Sequence, residues 1–149
     1  MRIGHVHLKV RDVDRATRFY REFLGMRERE RVGRFVFLSA GAMHHEVALQ
    51  EVGAHAGSPA RQDVGLFHAA FEVPDKRTLA SAYARLADAG RQVIAIDHRI
   101  SWAIYFFDPD RNGLEIYCDT RGETGVEIWE GEALPLGEER LLAELGSEA

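Results

Sequence analysis

The feature that most limits how this chain can fold is a pattern stated twice. Residues 3–25 read IGHVHLKVRDVDRATRFYREFLG, and residues 67–90 read FHAAFEVPDKRTLASAYARLADAG. His5 matches His68, Leu8 matches Phe71, Val10 matches Val73 and Asp12 matches Asp75, all 63 positions apart (5 to 68, 12 to 75). One offset held across strand, cap and helix marks an internal repeat. The chain must therefore build the same unit twice and bury the two copies' apolar faces.

Each copy reads as a strand, a turn and an amphipathic helix. In the first, Val6, Leu8 and Val10 alternate on one strand face while His5, His7 and Lys9 share the other. Asp12 is placed to cap the helix, and Val13, Ala16, Phe19, Tyr20, Phe23 and Leu24 recur at helical spacing before Gly25 stops it. In the second, Asp75 precedes Leu79, Ala82, Tyr83, Leu86 and Ala87, with Gly90 as the stop. Strand face and helix stripe bury each other in both copies, which predicts Val6, Leu8, Phe19, Phe23, Phe71, Val73, Leu79 and Leu86 between sheet and helices. The histidines are left on the opposite, concave side. The register pairs His68 with His5 rather than His7.

A chain of 149 residues suits one domain that buries about 68–70% of its unfolded surface, so two half-domains fit and two separate enzymes do not. Module one spans residues 1–52, a Gly-, Ser- and Pro-containing linker 53–63, and module two 64–120. Later strands are expected at 27–31 (charged and solvated), 35–38 (buried), 44–52, 91–96, 103–107 and 114–118, with residues 97–102 as a loop. On the 44–52 strand His45, Val47, Leu49 and Glu51 share one face. Asp108-Pro109-Asp110-Arg111 has the composition of a tight turn. Each half thus reads β-α-β-β-β. The fold class is α+β: two repeated modules forming a U-shaped, partly closed mixed β-sheet barrel with both main helices outside. Residues 121–149 form an acidic tail with Trp129, Pro135 and a helix near 138–145 carrying Leu141, Leu142 and Leu145. It covers either the domain's own edge or a partner subunit.

A formal net charge of −5 without any basic run argues against nucleic-acid or anionic-membrane binding as the main task. Cys118 stands alone, which rules out an intrachain disulfide framework and accords with a reducing cytoplasm. The opening enters a strand at once and no apolar run is long enough to span a bilayer, so a cytoplasmic location is expected.

His5 and His68 hold equivalent places early in the two first strands, and Glu115 lies in the last strand of the second module. If the halves curl together, two imidazoles and one carboxylate converge. That donor set suits a divalent metal with open positions, notably non-haem Fe(II).

The segments GHVHLKVRD…FYREFLG, LFHAAFEV and YFFDPDRNGLEIY resemble the vicinal oxygen chelate superfamily, which includes glyoxalases, extradiol dioxygenases and fosfomycin-resistance thiol transferases. The likeness covers residues 2–119 and is nearest to small single-domain extradiol (catechol 2,3-dioxygenase-like) proteins. It implies a metal cleft with His5, His68 and Glu115 as ligands. Arg111 departs from the pattern where many members carry glycine. The segment HHEVAL is similar to the stretch of extradiol dioxygenases that holds the acid–base histidine, which maps to His45. Tyr105 matches a tyrosine near substrate and oxygen, His7 is expected to assist by hydrogen bonding, and His98 and Phe107 fall on the substrate side.

The expected activity is Fe(II)-dependent extradiol cleavage of a catechol-type ring with O₂ as co-substrate, Mn(II) being the second candidate metal and aromatic catabolism the setting. Catecholate and O₂ need open metal positions, so only three protein ligands are allowed. The place in module one related to Glu115 falls near Ala48 or Leu49, whereas glyoxalase-type lyases generally carry a carboxylate there; Glu46 and Glu51 lie close enough to supply one in a shifted register. The alternatives are a glyoxalase-like lyase or epimerase and a fosfomycin-type thiol transferase, against which His7 stands where those transferases have threonine. A non-catalytic binding protein ranks last. The expected partners are a small aromatic diol and a second copy of the chain, as a homodimer, with no nucleic acid and no membrane.

Overall fold

In a computed structural model, which describes residues 3–60 and 62–146, the repeated pattern forms β-α-β-β-β twice. The extreme ends of the expected domain and tail (1–2 and 147–149) and position 61 of the linker lie outside the described residues. The chain divides into two compact units, Met1–Phe67 with Phe107–Asn112, and His68–Phe106 with Gly113–Ala149.

In the first unit β1 (Val6–Val10) leads into α1 (Val13–Leu24), and β2 (Arg27–Val32), β3 (Phe35–Ser39) and β4 (Val47–Glu51) follow. The sheet order is β1-β4-β3-β2, with β1 and β4 parallel (Val6 opposite Val47) and β4, β3 and β2 antiparallel neighbours. Asp12 caps α1 by accepting from the Arg15 amide at 2.8 Å, and Gly25 closes it at φ 66°. The helix buries Val13, Ala16, Phe19, Tyr20 and Phe23, and β1 buries Leu8 and Val10. Full burial of each large side chain contributes about 1.5–3 kcal/mol.

The second unit repeats the plan with β5 (Ala69–Glu72), α2 (Lys76–Asp88), β6 (Ile94–Asp97), β7 (Ser101–Phe107) and β8 (Gly113–Asp119). Asp75 caps α2 through the Thr78 amide at 2.7 Å, 63 positions from the first cap. The parallel pair is now β5 with β8, Ala69 opposite Leu114. The tail adds α3 (Arg121–Thr124), β9 (Leu134–Pro135) and α4 (Glu138–Leu142) with a 3-10 turn at Ala143–Leu145, giving the order β5-β8-β7-β6-β9. β9 pairs with β6 and α4 packs on α2 with Leu141 buried, so the tail covers its own unit.

The α+β plan of two repeated modules holds, with the strands in two mixed sheets, neither of which closes into a barrel by itself. β1 and β2 are the edges of the first, and the RERERV sequence of β2 keeps that edge charged and exposed. Several expectations are corrected. Val6, Phe71 and Val73 are half-buried rather than buried, because β1 and β5 are edge strands covered on one side only. β7 begins at Ser101, which moves Trp102 from loop to strand. The Asp108–Arg111 turn forms, but its residues belong to the first unit. There Asp108 accepts from the Asp110 and Asn112 amides and from the Tyr20 hydroxyl, while Asp110 meets Arg11 at 3.1 Å and Arg15 at 2.7 Å. Arg111 adopts φ 71°, a left-handed conformation that explains why glycine suits this position.

Candidate active site

In the second unit four of the expected residues form one hydrogen-bonded chain. His68 directly precedes β5, and Glu115 lies on β8 opposite Ala70. His68 Nε2 stands 2.7 Å from Glu115 Oε2, and Glu115 is buried. Its other oxygen, Oε1, accepts from the Tyr105 hydroxyl at 3.0 Å. Tyr105 in turn lies 2.8 Å from His98 Nε2. His98 sits in the loop between β6 and β7, where Nδ1 meets the Glu132 carbonyl at 3.2 Å and the ring meets Trp129 edge-on at 5.9 Å between centroids.

Burial raises the Tyr105 phenol well above its ordinary range, and the charge and hydrogen bond of Glu115 add to it. Tyr105 therefore stays a neutral phenol that donates a hydrogen bond. Its one proton faces two acceptors, Glu115 Oε1 and the imidazole of His98. Trp129 and the Glu132 carbonyl were not foreseen from the sequence. Only an aromatic residue in an acidic tail hinted at them.

In the first unit the histidines cluster. His5 directly precedes β1, and its ring centroid is 4.5 Å from that of His45. His45 also packs 5.0 Å from Phe37 and has Nδ1 2.9 Å from His44 Nδ1, while His44 Nε2 meets Glu30 at 3.2 Å. His45 is not on a strand: β4 begins at Val47, and His45 rides the preceding loop. The reason is local. Ser39 Oγ donates within that loop, and Glu46 holds the Ala40 amide with its carboxylate while its backbone bonds to Leu38 and Val6. Burial, then the positive charges that His5 and His44 would carry, lower the His45 pKa and favour the neutral ring.

His7 is exposed on β1, opposite Ala48 and edge-on to Phe35 at 6.1 Å. Phe107 belongs to the first unit, exposed, with the Arg111 guanidinium 5.6 Å from its ring centre. The register also settles the place related to Glu115. Glu115 lies opposite Ala70, and the equivalent of Ala70 in the first unit, His7, lies opposite Ala48. Glu46 and Glu51 do not replace it, since their carboxylates accept from the Ala40 and Val13 amides.

Among the described residues no group of three or more His, Cys, Asp or Glu side chains stands gathered as metal ligands. The structure pairs His68 with Glu115 in one unit and His5 with His45 in the other. The donor types fit a divalent ion all the same: an imidazole nitrogen and a buried carboxylate oxygen already approach one another, with the carboxylate's second oxygen held by Tyr105.

Residues 2–116 match the sequence pattern of the "Glyoxalase/Bleomycin resistance protein/Dioxygenase superfamily". The chain belongs to that superfamily. It is also known as the vicinal oxygen chelate superfamily, whose enzymes are metal-dependent and whose dioxygenases use O₂. Over 129 residues the chain is 33% identical to the catechol-2,3-dioxygenase of Bacillus subtilis (strain 168), covering 87% of this chain and 45% of that protein. It thus spans under half the length of that relative. Among solved structures, a glyoxylase/bleomycin resistance protein/dioxygenase domain from Frankia sp. EAN1pec is 29% identical, with a TM-score of 0.69 over 83% of this chain and 95% of that one. A lactoylglutathione lyase from Agrobacterium tumefaciens shares the fold at 24% identity, TM-score 0.61, covering 78% of this chain and 92% of that one. Among the described residues, no helix is long and apolar enough to cross a membrane.

Proposed function

We propose that this superfamily member is an Fe(II)-dependent extradiol dioxygenase that cleaves a catechol-type ring with O₂. The observation that carries the reading is the place related to Glu115, where Ala48 leaves no fourth protein ligand while His45 stands beside His5. His5, His68 and Glu115 would hold the metal, with Mn(II) as the alternative ion. When bound, it would chelate the two diol oxygens and activate O₂. The likeness to a catechol-2,3-dioxygenase supports the same chemistry.

The chain's own groups supply the proton handling. His45, favoured in its neutral form, accepts a proton from the diol, while Tyr105 stays protonated, hydrogen-bonds to Glu115 Oε1 and lies within reach of His98 Nε2. His7 assists from β1, and His98 and Phe107 serve the substrate side. Loading the protein with Fe(II) and following O₂ uptake with a panel of catechols tests the proposal. His45→Ala should retain the metal and lose about 10²–10⁴-fold in ring-cleavage rate, whereas His55→Ala, in the linker, should change little. No O₂ uptake with any catechol, or a His45→Ala variant as fast as the parent, would overturn it and move a lyase or transferase reading ahead.

A further inference from the structure

We infer that Trp129 is a positioning residue: through the Glu132 carbonyl it fixes the tautomer of His98, and so the atom that His98 turns toward Tyr105. The backbone beside His98 is already tightly held. Arg99 adopts φ 70°, left-handed for a residue with a side chain. Its amide donates to Asp97 Oδ1 at 2.9 Å, and its carbonyl accepts from Thr120 Oγ1 at 3.1 Å and Thr124 Oγ1 at 2.9 Å. The His98 amide donates to the Ser101 carbonyl, and the Thr120 amide donates to the Ile100 carbonyl. The chain that follows β8 therefore aims the His98 side chain.

The ring itself is held by the tail. One carbonyl, that of Glu132, takes the indole N–H of Trp129 at 2.6 Å and faces His98 Nδ1 at 3.2 Å. The indole lies at 86° to the imidazole, and His98 and Glu132 also line a cleft of about 120 Å³ with Arg99, Val126, Ile128 and Glu130. A carbonyl only accepts, so this bond requires a proton on Nδ1. In a neutral ring that leaves Nε2 bare, 2.8 Å from the Tyr105 hydroxyl. Nε2 then competes with Glu115 Oε1 for the single phenolic proton. A ring free of the Glu132 carbonyl would populate both tautomers, and the one with hydrogen on Nε2 cannot accept from Tyr105.

The kinetic part of the test rests on the proposed dioxygenase reaction; the spectroscopic part does not. The 149-residue chain is labelled with ¹⁵N-histidine, the His98 signals are identified by their loss in His98→Gln, and ring ¹⁵N shifts report the tautomer. The parent should show a single Nδ1–H form. Trp129→Ala should show a mixture and lose about 10–100-fold in kcat, with KM and metal content little changed. Trp129→Phe keeps a ring and loses the N–H, and should fall between the two. Glu127→Ala, elsewhere in the tail, should match the parent. An unchanged His98 tautomer in Trp129→Ala overturns the inference, whatever the rates. A parent that cleaves no catechol defeats the dioxygenase reading and leaves the tautomer comparison to decide the role of Trp129.

Discussion

A histidine serves as a base when its surroundings keep it neutral, and His45 meets that condition through burial first and its His5 and His44 neighbours next. The same shift has a consequence for stability. With the folded pKa lowered below the unfolded value of about 6.5, the unfolded chain takes up its proton first as pH falls. The stability contributed by neutral His45 is present above that value and lost below it. Urea midpoints at pH 7.5 and 5.5 should therefore converge in His45→Gln relative to the parent. Tyr105 makes a second residue-scale prediction. Tyr105→Phe removes the bonds to Glu115 and His98 together, and should cost about 10–100-fold in metal affinity or activity, read by metal titration and turnover. Cys118 is buried on β8, and burial pushes its thiol up to about 11, so alkylation at pH 7.5 should wait on unfolding. A native protein modified within minutes would contradict that placement.

Among elements, the repeat proves most legible where local chemistry decides the outcome. β1 and β5, the caps Asp12 and Asp75, and the starts of α1 and α2 all fall 63 positions apart, as the sequence spacing predicts. Each cap is exposed and accepts from an amide of the first helical turn, so Asp12→Ala and Asp75→Ala should each lower the urea midpoint of unfolding. A loss confined to one of them would show that the two modules are not energetically equivalent. Legibility fails at the loops. His44 and His45 continue an alternating pattern that reads as strand, yet side-chain bonds from Ser39 and Glu46 to the loop backbone hold them outside the ladder. Trp102 reads as loop and pairs with Asp97 in the β6–β7 ladder instead.

At the scale of the whole molecule, the metal assignment gives the sharpest expectation. His68→Ala and Glu115→Ala should each reduce Fe(II) binding by at least about 10-fold, measured as metal content after dialysis. His5→Ala should do the same, and undiminished content in both His5→Ala and Glu115→Ala would refute the ligand set. Assembly is a separate proposal. Val64 and Leu66 are exposed just before the edge strand β5, an arrangement that favours pairing with a second copy into a homodimer. Sedimentation should show a dimer at micromolar concentration, and a stable monomer there would count against it.

The sequence by itself determined the duplicated β-α-β-β-β plan and the helix caps, because periodicity and capping act over a few neighbouring residues. It also placed Glu115 in its strand. Only the tertiary structure decided what joins that carboxylate to its neighbours. Parallel pairing of β1 with β4 and of β5 with β8 depends on contacts distant in sequence, and it narrows the place related to Glu115 from Ala48 or Leu49 to Ala48. The chain Glu115–Tyr105–His98–Glu132 likewise links four stretches of sequence. Its last link is a main-chain carbonyl, and a group that every residue carries leaves no mark in the order of side chains.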